Sequence, residues 1–119
     1  MTVIHAEVAI AMGPAAVVKR IREVTKGGAT YVTFDVDSLD PAFAPGTGTP
    51  EVGGLSSADA LAILRGCLGL DVVGGDVVEV APQYDPKTNT AQIAAQALFV
   101  VLCLAAAARQ AREAQIPTH

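Results

Sequence analysis

Residues 31–51 run Tyr-Val-Thr-Phe-Asp-Val-Asp-Ser-Leu-Asp-Pro-Ala-Phe-Ala-Pro-Gly-Thr-Gly-Thr-Pro-Glu, and this run limits how the chain can fold more than any other. Residues 31–36 are rich in β-branched and aromatic side chains and read as a strand. The strand ends among three acids, Asp35, Asp37 and Asp40. Residues two apart on a strand share a face, so Asp35 and Asp37 are expected to aim two carboxylates at one spot. Two anions held that closely repel unless a cation lies between them, and hard divalent ions such as Mg²⁺ or Mn²⁺ suit oxygen donors. The bland alternative is a solvated loop that happens to carry two unrelated acids. Residues 41–54 then hold Pro41, Pro45 and Pro50 with Gly46, Gly48, Gly53 and Gly54. Such a loop has a defined shape without regular structure, as the wall of an active site would.

The other segments place this run in an alternating pattern. Residues 2–12 are weakly apolar and read as a strand or an irregular lead-in. Gly13-Pro14 opens a helix with proline at its favoured first position, and Val17, Ile21 and Val24 make its apolar stripe. Gly27-Gly28 ends it. Ser56 with Asp59 forms a capping box for a second helix, whose buried face would be Leu61, Leu64 and Leu68, with Gly69 at its end. The Val-rich stretch 72–80 reads as a strand covered on both faces. Asn89 with Gln92 reads as the cap of a last helix over about 90–112. Within it, residues 97–108 are uninterrupted apolar; a membrane span needs about 20 such residues, so these twelve read as a buried helix or a subunit contact. Helix–strand alternation indicates a parallel sheet with helices on its faces, but two strands are too few for a complete one. The expectation is one incomplete domain over residues 1–119.

Composition narrows the classes of partner. The chain has 119 residues, 51% of them hydrophobic, and a net charge of −4 with no basic stripe, which argues against nucleic acid. Cys67 and Cys103 both fall in apolar helical patterns and read as buried free thiols of a reducing, cytoplasmic compartment, with a disulfide left open. No signal peptide is evident at the start. His5 and His119, the two histidines, read as solvated. Tyr84 beside Asp85 reads as packing.

Function in open α/β sheets gathers at the carboxyl ends of strands. Asp35 and Asp37 end one strand, and Glu79 ends the other with Asp85 nearby. If the strands are neighbours, Asp35, Asp37 and Glu79 converge on one crevice. Asp76, three residues from Glu79, is expected to face the other way, as a strand-entry residue.

The run from Thr33 to Glu51 resembles the second metal-binding signature of the ureohydrolases, the arginase and agmatinase family. Gly54-Leu-Ser, Arg65-Gly-Cys, the run from Gly74 to Asp85 and Asn89-Thr-Ala follow in that family's order, so the resemblance covers roughly residues 13–107. Pro-Gly-Thr-Gly-Thr-Pro-Glu is more like agmatinases and related guanidino-acid hydrolases than arginases. The resemblance implies a three-layer α/β/α fold with a parallel sheet, of which this chain is the C-terminal part. It implies two Mn²⁺ ions that activate a bridging water to attack a guanidinium carbon, as in the conversion of agmatine to putrescine and urea. Carried over by position, Asp35 bridges both metals, Asp37 binds one, Glu79 holds the guanidinium, and Thr47 and Thr49 line the pocket. A homo-oligomer of the full-length protein is expected, with neither nucleic acid nor membrane as partner. The family's further ligands, an earlier histidine and an Asp-x-His-x-Asp segment, have no counterpart here, and Gln83 stands where relatives often carry proline. The isolated chain is therefore expected to be inactive.

Three rivals stand beside agmatine hydrolysis. One is a non-catalytic fragment. Another is hydrolysis of guanidinobutyrate or guanidinopropionate. The third is a phosphohydrolase of the haloacid dehalogenase type, which shares an Asp-x-Asp motif. That class also needs a downstream Ser or Thr, a Lys and an acidic pair. Lys87 is the only lysine after Lys26, and the loop after Asp40 does not suit it.

Overall fold

The computed structural model describes residues 1–115. Two parallel strands, β1 (Thr30–Asp35) and β2 (Val72–Val78), form the sheet, and Asp35 pairs with Val78. Four helices accompany them: α1 (Ala6–Met12), α2 (Pro14–Thr25), α3 (Ser57–Gly66) and α4 (Asn89–Ala114). The expected alternation is present, with strands that are sheet neighbours. In β2, Val73 is an extra residue where the register shifts, and it is exposed.

The core lies on one face of the sheet. Phe34 and Val36 join Leu39, Ala60, Leu64, Cys67 and Val72, and α4 lays Ala94, Ala97, Val100, Val101, Leu104 and Ala108 against them. The opposite face carries Tyr31, Thr33 and Asp35 beside Gly74, Asp76 and Val78. Tyr31 on that face is 60% exposed. Among the described residues the fold is thus an incomplete three-layer α/β unit with helices packed on one side. Its radius of gyration is 15.4 Å, larger than the ~13.5 Å expected of a compact domain of this length.

Several boundaries differ from expectation, each for a local reason. Residues 6–12 are a helix, not a strand or lead-in; α1 buries none of its side chains, so its form reflects local helix-forming residues and no packed face. Lys26, ahead of Gly27, is the left-handed cap of α2 with φ 50° and donates its N–H to Arg22 O at 3.1 Å. Val17 and Ile21 of the expected stripe are covered, whereas Val24 is exposed. Ser56 caps α3 as expected, with Asp59 N–H donating to Ser56 Oγ at 3.0 Å, but the Asp59 carboxylate accepts the Ser56 hydroxyl at 2.9 Å, which replaces the box's second bond to the Ser56 N–H. α3 ends at Gly66, before Gly69, so Leu68 lies beyond the helix and is exposed. Both cysteines are free; Cys67 is buried, which pushes its thiol pKa up, while Cys103 is exposed on α4, contrary to expectation. Tyr84 is exposed as well, so the packing expected of it is not seen.

Candidate active site

The strand ends one residue earlier than expected and two short of Asp37. Asp35 is the last residue of β1, and Val36–Ser38 turns as a single 3₁₀ helix. That turn ties the backbone of Asp37 to the carboxylate of Asp35. Asp37 N–H donates to Asp35 Oδ1 at 2.8 Å, and Ser38 Oγ donates to Asp35 O at 2.7 Å. Val36, between the acids, is fully buried and anchors the turn in the core. The turn is thus a hydrogen-bonded loop in which strand periodicity no longer decides where Asp37 points.

The loop over residues 41–54 has the defined shape expected of it. Its base is closed by Asp40 N–H to Leu55 O at 3.0 Å and Leu55 N–H to Ser38 O at 2.9 Å. The Asp40 carboxylate accepts the N–H of Ala42 at 2.8 Å and of Gly53 at 2.9 Å, which joins the loop's two ends. Those two amides, Ala42 first, hold the Asp40 carboxyl below its ordinary pKa against the opposing effect of desolvation. The third acid of the run is therefore a structural clasp.

From this clasped loop, Thr47 Oγ1 donates to Asp37 Oδ1 and Thr49 Oγ1 to Asp37 Oδ2. Thr47 is 3% exposed. Both hydroxyls therefore orient a carboxylate, each engaging one oxygen and leaving lone-pair capacity on it. Thr47 and Thr49 were expected to line a pocket; the contact they make here is with the expected metal ligand.

Glu79 is exposed and follows β2 directly, one residue past the partner of Asp35. Its φ is 65°, in the left-handed region that side-chain-bearing residues seldom adopt. Backbone strain of this kind clusters where a side chain must be held in a set direction. Asp76 is no strand-entry residue: it pairs with Thr33 in the middle of β2 and shares a face with Asp35. Tyr31 OH donates to Asp76 Oδ2 at 3.1 Å, and this bond, with desolvation and the nearby negative charge, raises the Tyr31 pKa. Asp76 Oδ1 is buried and has no hydrogen-bond partner among the described residues.

The helix that follows is capped from outside its own sequence. Thr88 occupies the cap position with φ 61° and no side-chain cap bond, so Asn89 and Gln92 do not form the expected box. Asp85 does that work: its carboxylate accepts the N–H of Thr90 at 3.2 Å and of Ala91 at 3.0 Å. Desolvation pushes the Asp85 pKa up, but the amides of Ala91, Thr90 and Asn89 and the Thr90 hydroxyl outweigh it and bring the pKa below the ordinary value.

Carboxylate oxygens are the hard donors that Mn²⁺ accepts, so Asp35 and Asp37 fit as part of a ligand set. They do not make a whole one: among the described residues no three His, Cys, Asp or Glu side chains gather closely enough to hold a metal ion. His5 is exposed ahead of α1, and His119 lies outside the described residues. Sequence reading missed the roles of Asp85 and Thr90; an Asp placed four residues before a helix start was the available signal.

The arginase-family model matches residues 1–103, and the chain belongs to the arginase family. It is 53% identical over 111 residues to the guanidinopropionase of Pseudomonas aeruginosa, a match covering 92% of this chain and 35% of that protein. The guanidinobutyrase of the same organism is 52% identical over 84 residues, 71% of this chain and 26% of that one. A crystal structure described as a hypothetical agmatinase from Burkholderia thailandensis superposes with a TM-score of 0.87 at 49% identity, covering 96% of this chain and 35% of the other. The chain spans about a third of the length of the first of these relatives and of that crystal structure.

Proposed function

We propose that these residues form part of the active site of a manganese-dependent, cytoplasmic guanidino hydrolase that cleaves agmatine to putrescine and urea. The observation that carries this reading is the double grip on Asp37 by Thr47 and Thr49, beside Asp35, at the carboxyl end of a parallel strand in an arginase-family chain. A carboxylate held at both oxygens is oriented before any ligand arrives. In this reading Asp35 contributes to both metal positions and Asp37 to one. When bound, the metal pair acidifies a water enough for it to act as a nucleophile at neutral pH. Glu79, on the strained backbone after β2, offers a planar carboxylate to the planar guanidinium. The remaining ligands come from outside residues 1–119, and so do some of the determinants of the substrate's tail. The complete protein is proposed to be a homo-oligomer, with neither a membrane nor nucleic acid as partner.

A second reading, hydrolysis of a guanidino acid, is favoured by the 53% identity to a guanidinopropionase over nearly the whole chain. One experiment tests the site assignment that both readings share. Residues 1–119 replace the corresponding third of the Pseudomonas guanidinopropionase, and urea release is measured with agmatine, guanidinopropionate and guanidinobutyrate. Release that falls at least about a hundredfold on Asp35→Asn, and less on Asp37→Asn, supports the assignment. Equal losses with metal retained would refute the bridging role of Asp35. The chain alone, with excess Mn²⁺ and any of the three compounds, should release no urea; turnover near that of a full-length relative would overturn that expectation.

A further inference from the structure

Gly46 and Thr90 lie 44 residues apart in sequence and meet in the interior. Thr90 is fully buried, and its Oγ1 accepts the Gly46 N–H at 2.8 Å. The Thr90 N–H in turn donates to Asp85 Oδ1 at 3.2 Å, so Gly46, Thr90 and Asp85 meet at one point. On its other side, Gly46 O accepts the N–H of Ala81 at 2.8 Å. The approach is close enough to exclude any side chain: a Cβ on Gly46 would lie 2.5 Å from Asp85 Cβ and 2.9 Å from Thr90 Oγ1. Gly46 is thereby held at both of its backbone polar groups. It stands next to Thr47, which grips Asp37, while Ala81 stands two residues after Glu79.

We propose that Thr90 is a positioning residue that sets where the Asp37 carboxylate stands relative to Glu79. It does so by holding the backbone of Gly46 between the loop of Thr47 and Thr49 and the segment after β2. Through this one residue the start of α4, the loop and the Glu79 segment are joined. The proposal rests on the functional reading above only for what Asp37 and Glu79 do; the junction itself is independent of it.

The test compares residues 1–119 with Thr90→Val, which keeps the shape and loses the hydroxyl, and Thr90→Ser, which keeps the hydroxyl. Amide hydrogen exchange is followed at Gly46 and, as a control for overall stability, at Val32 and Phe34 in β1. Mn²⁺ is added as the probe, and broadening of the Asp37, Thr47 and Thr49 resonances gives its affinity. Thr90→Val should speed Gly46 exchange roughly tenfold more than it speeds β1 exchange and weaken Mn²⁺ binding about threefold or more, and Thr90→Ser should restore both. A Gly46 amide that exchanges freely in the unmodified chain, or equally in all three, would overturn the junction. A Gly46 effect with unchanged Mn²⁺ affinity would overturn its link to Asp37. If Mn²⁺ broadens nothing in any variant, the link to Asp37 is overturned for this chain, while exchange still decides the junction.

Discussion

The loop side of the sheet's end and the sheet's outer face differ in how completely this chain satisfies them. On the loop side, Leu39, Ala44, Gly46 and Thr47 are buried, and the carboxylates of Asp37, Asp40 and Asp85 each hold two donors. On the outer face, Tyr31 is largely exposed and Asp76 Oδ1 is buried without a partner among the described residues. The outward side of α4 resembles that face, with Leu98, Phe99, Leu102 and Cys103 exposed at helical spacing. α4 is long and apolar enough by length and composition to cross a membrane, yet its Ala94–Ala97–Val101–Leu104–Ala108 side sits on the sheet as a core helix would. Hydrogen bonds that orient site residues are short-range in space and close within this third of a relative's length. Burial of apolar surface needs area, and a two-stranded sheet with helices on one side does not supply enough of it.

Breaking the satisfied side should have the largest effect. Leu39 is 1% exposed at the base of the loop, so Leu39→Ala should cost about 2–5 kcal/mol by urea denaturation. A loss under about 1 kcal/mol would mean that the loop base is not part of the cooperative core.

Acid should loosen the same side more gently. Asp40 and Asp85 have folded pKa values below the ordinary 3.8. Their contribution is therefore complete above that value and is lost as pH falls through the lower, folded values. The denaturation midpoint should hold steady from about pH 7 to pH 5 on their account and drop below about pH 4. Asp85→Asn should remove part of that drop. A midpoint that falls between pH 7 and pH 5, with no further change below, would contradict the clasp and cap roles.

The smallest change in stability is expected on the open side. Leu102→Ser should alter the unfolding free energy by no more than about 0.5 kcal/mol, as surface substitutions do, because Leu102 is exposed. The same change should raise the concentration at which the chain stays monomeric in sedimentation, since it interrupts an apolar stripe. A loss of several kcal/mol would show that this stripe is packed against something.

What could be read from residue order was whatever depends on near neighbours. The Pro14 start, the Ser56 cap with Asp59, the β-branched and aromatic strand β1 and the Val-rich strand β2 follow from interactions within three or four positions, and each is present. The acids at the end of β1 and the shaped loop were legible for the same reason. Chain-long contacts decided the rest. The turn at Val36 buries that side chain and takes Asp37 out of strand alternation. Asp85 caps α4 in place of Asn89 and Gln92 because the loop's Gly46 lets the backbones meet closely enough for Thr90 to join them. Which side of α4 is buried was equally beyond reach, since an uninterrupted apolar run has no polar face to orient it. Periodicity reports what a segment can bury; only packing against the sheet determines what it does bury, because that depends on partners tens of residues away.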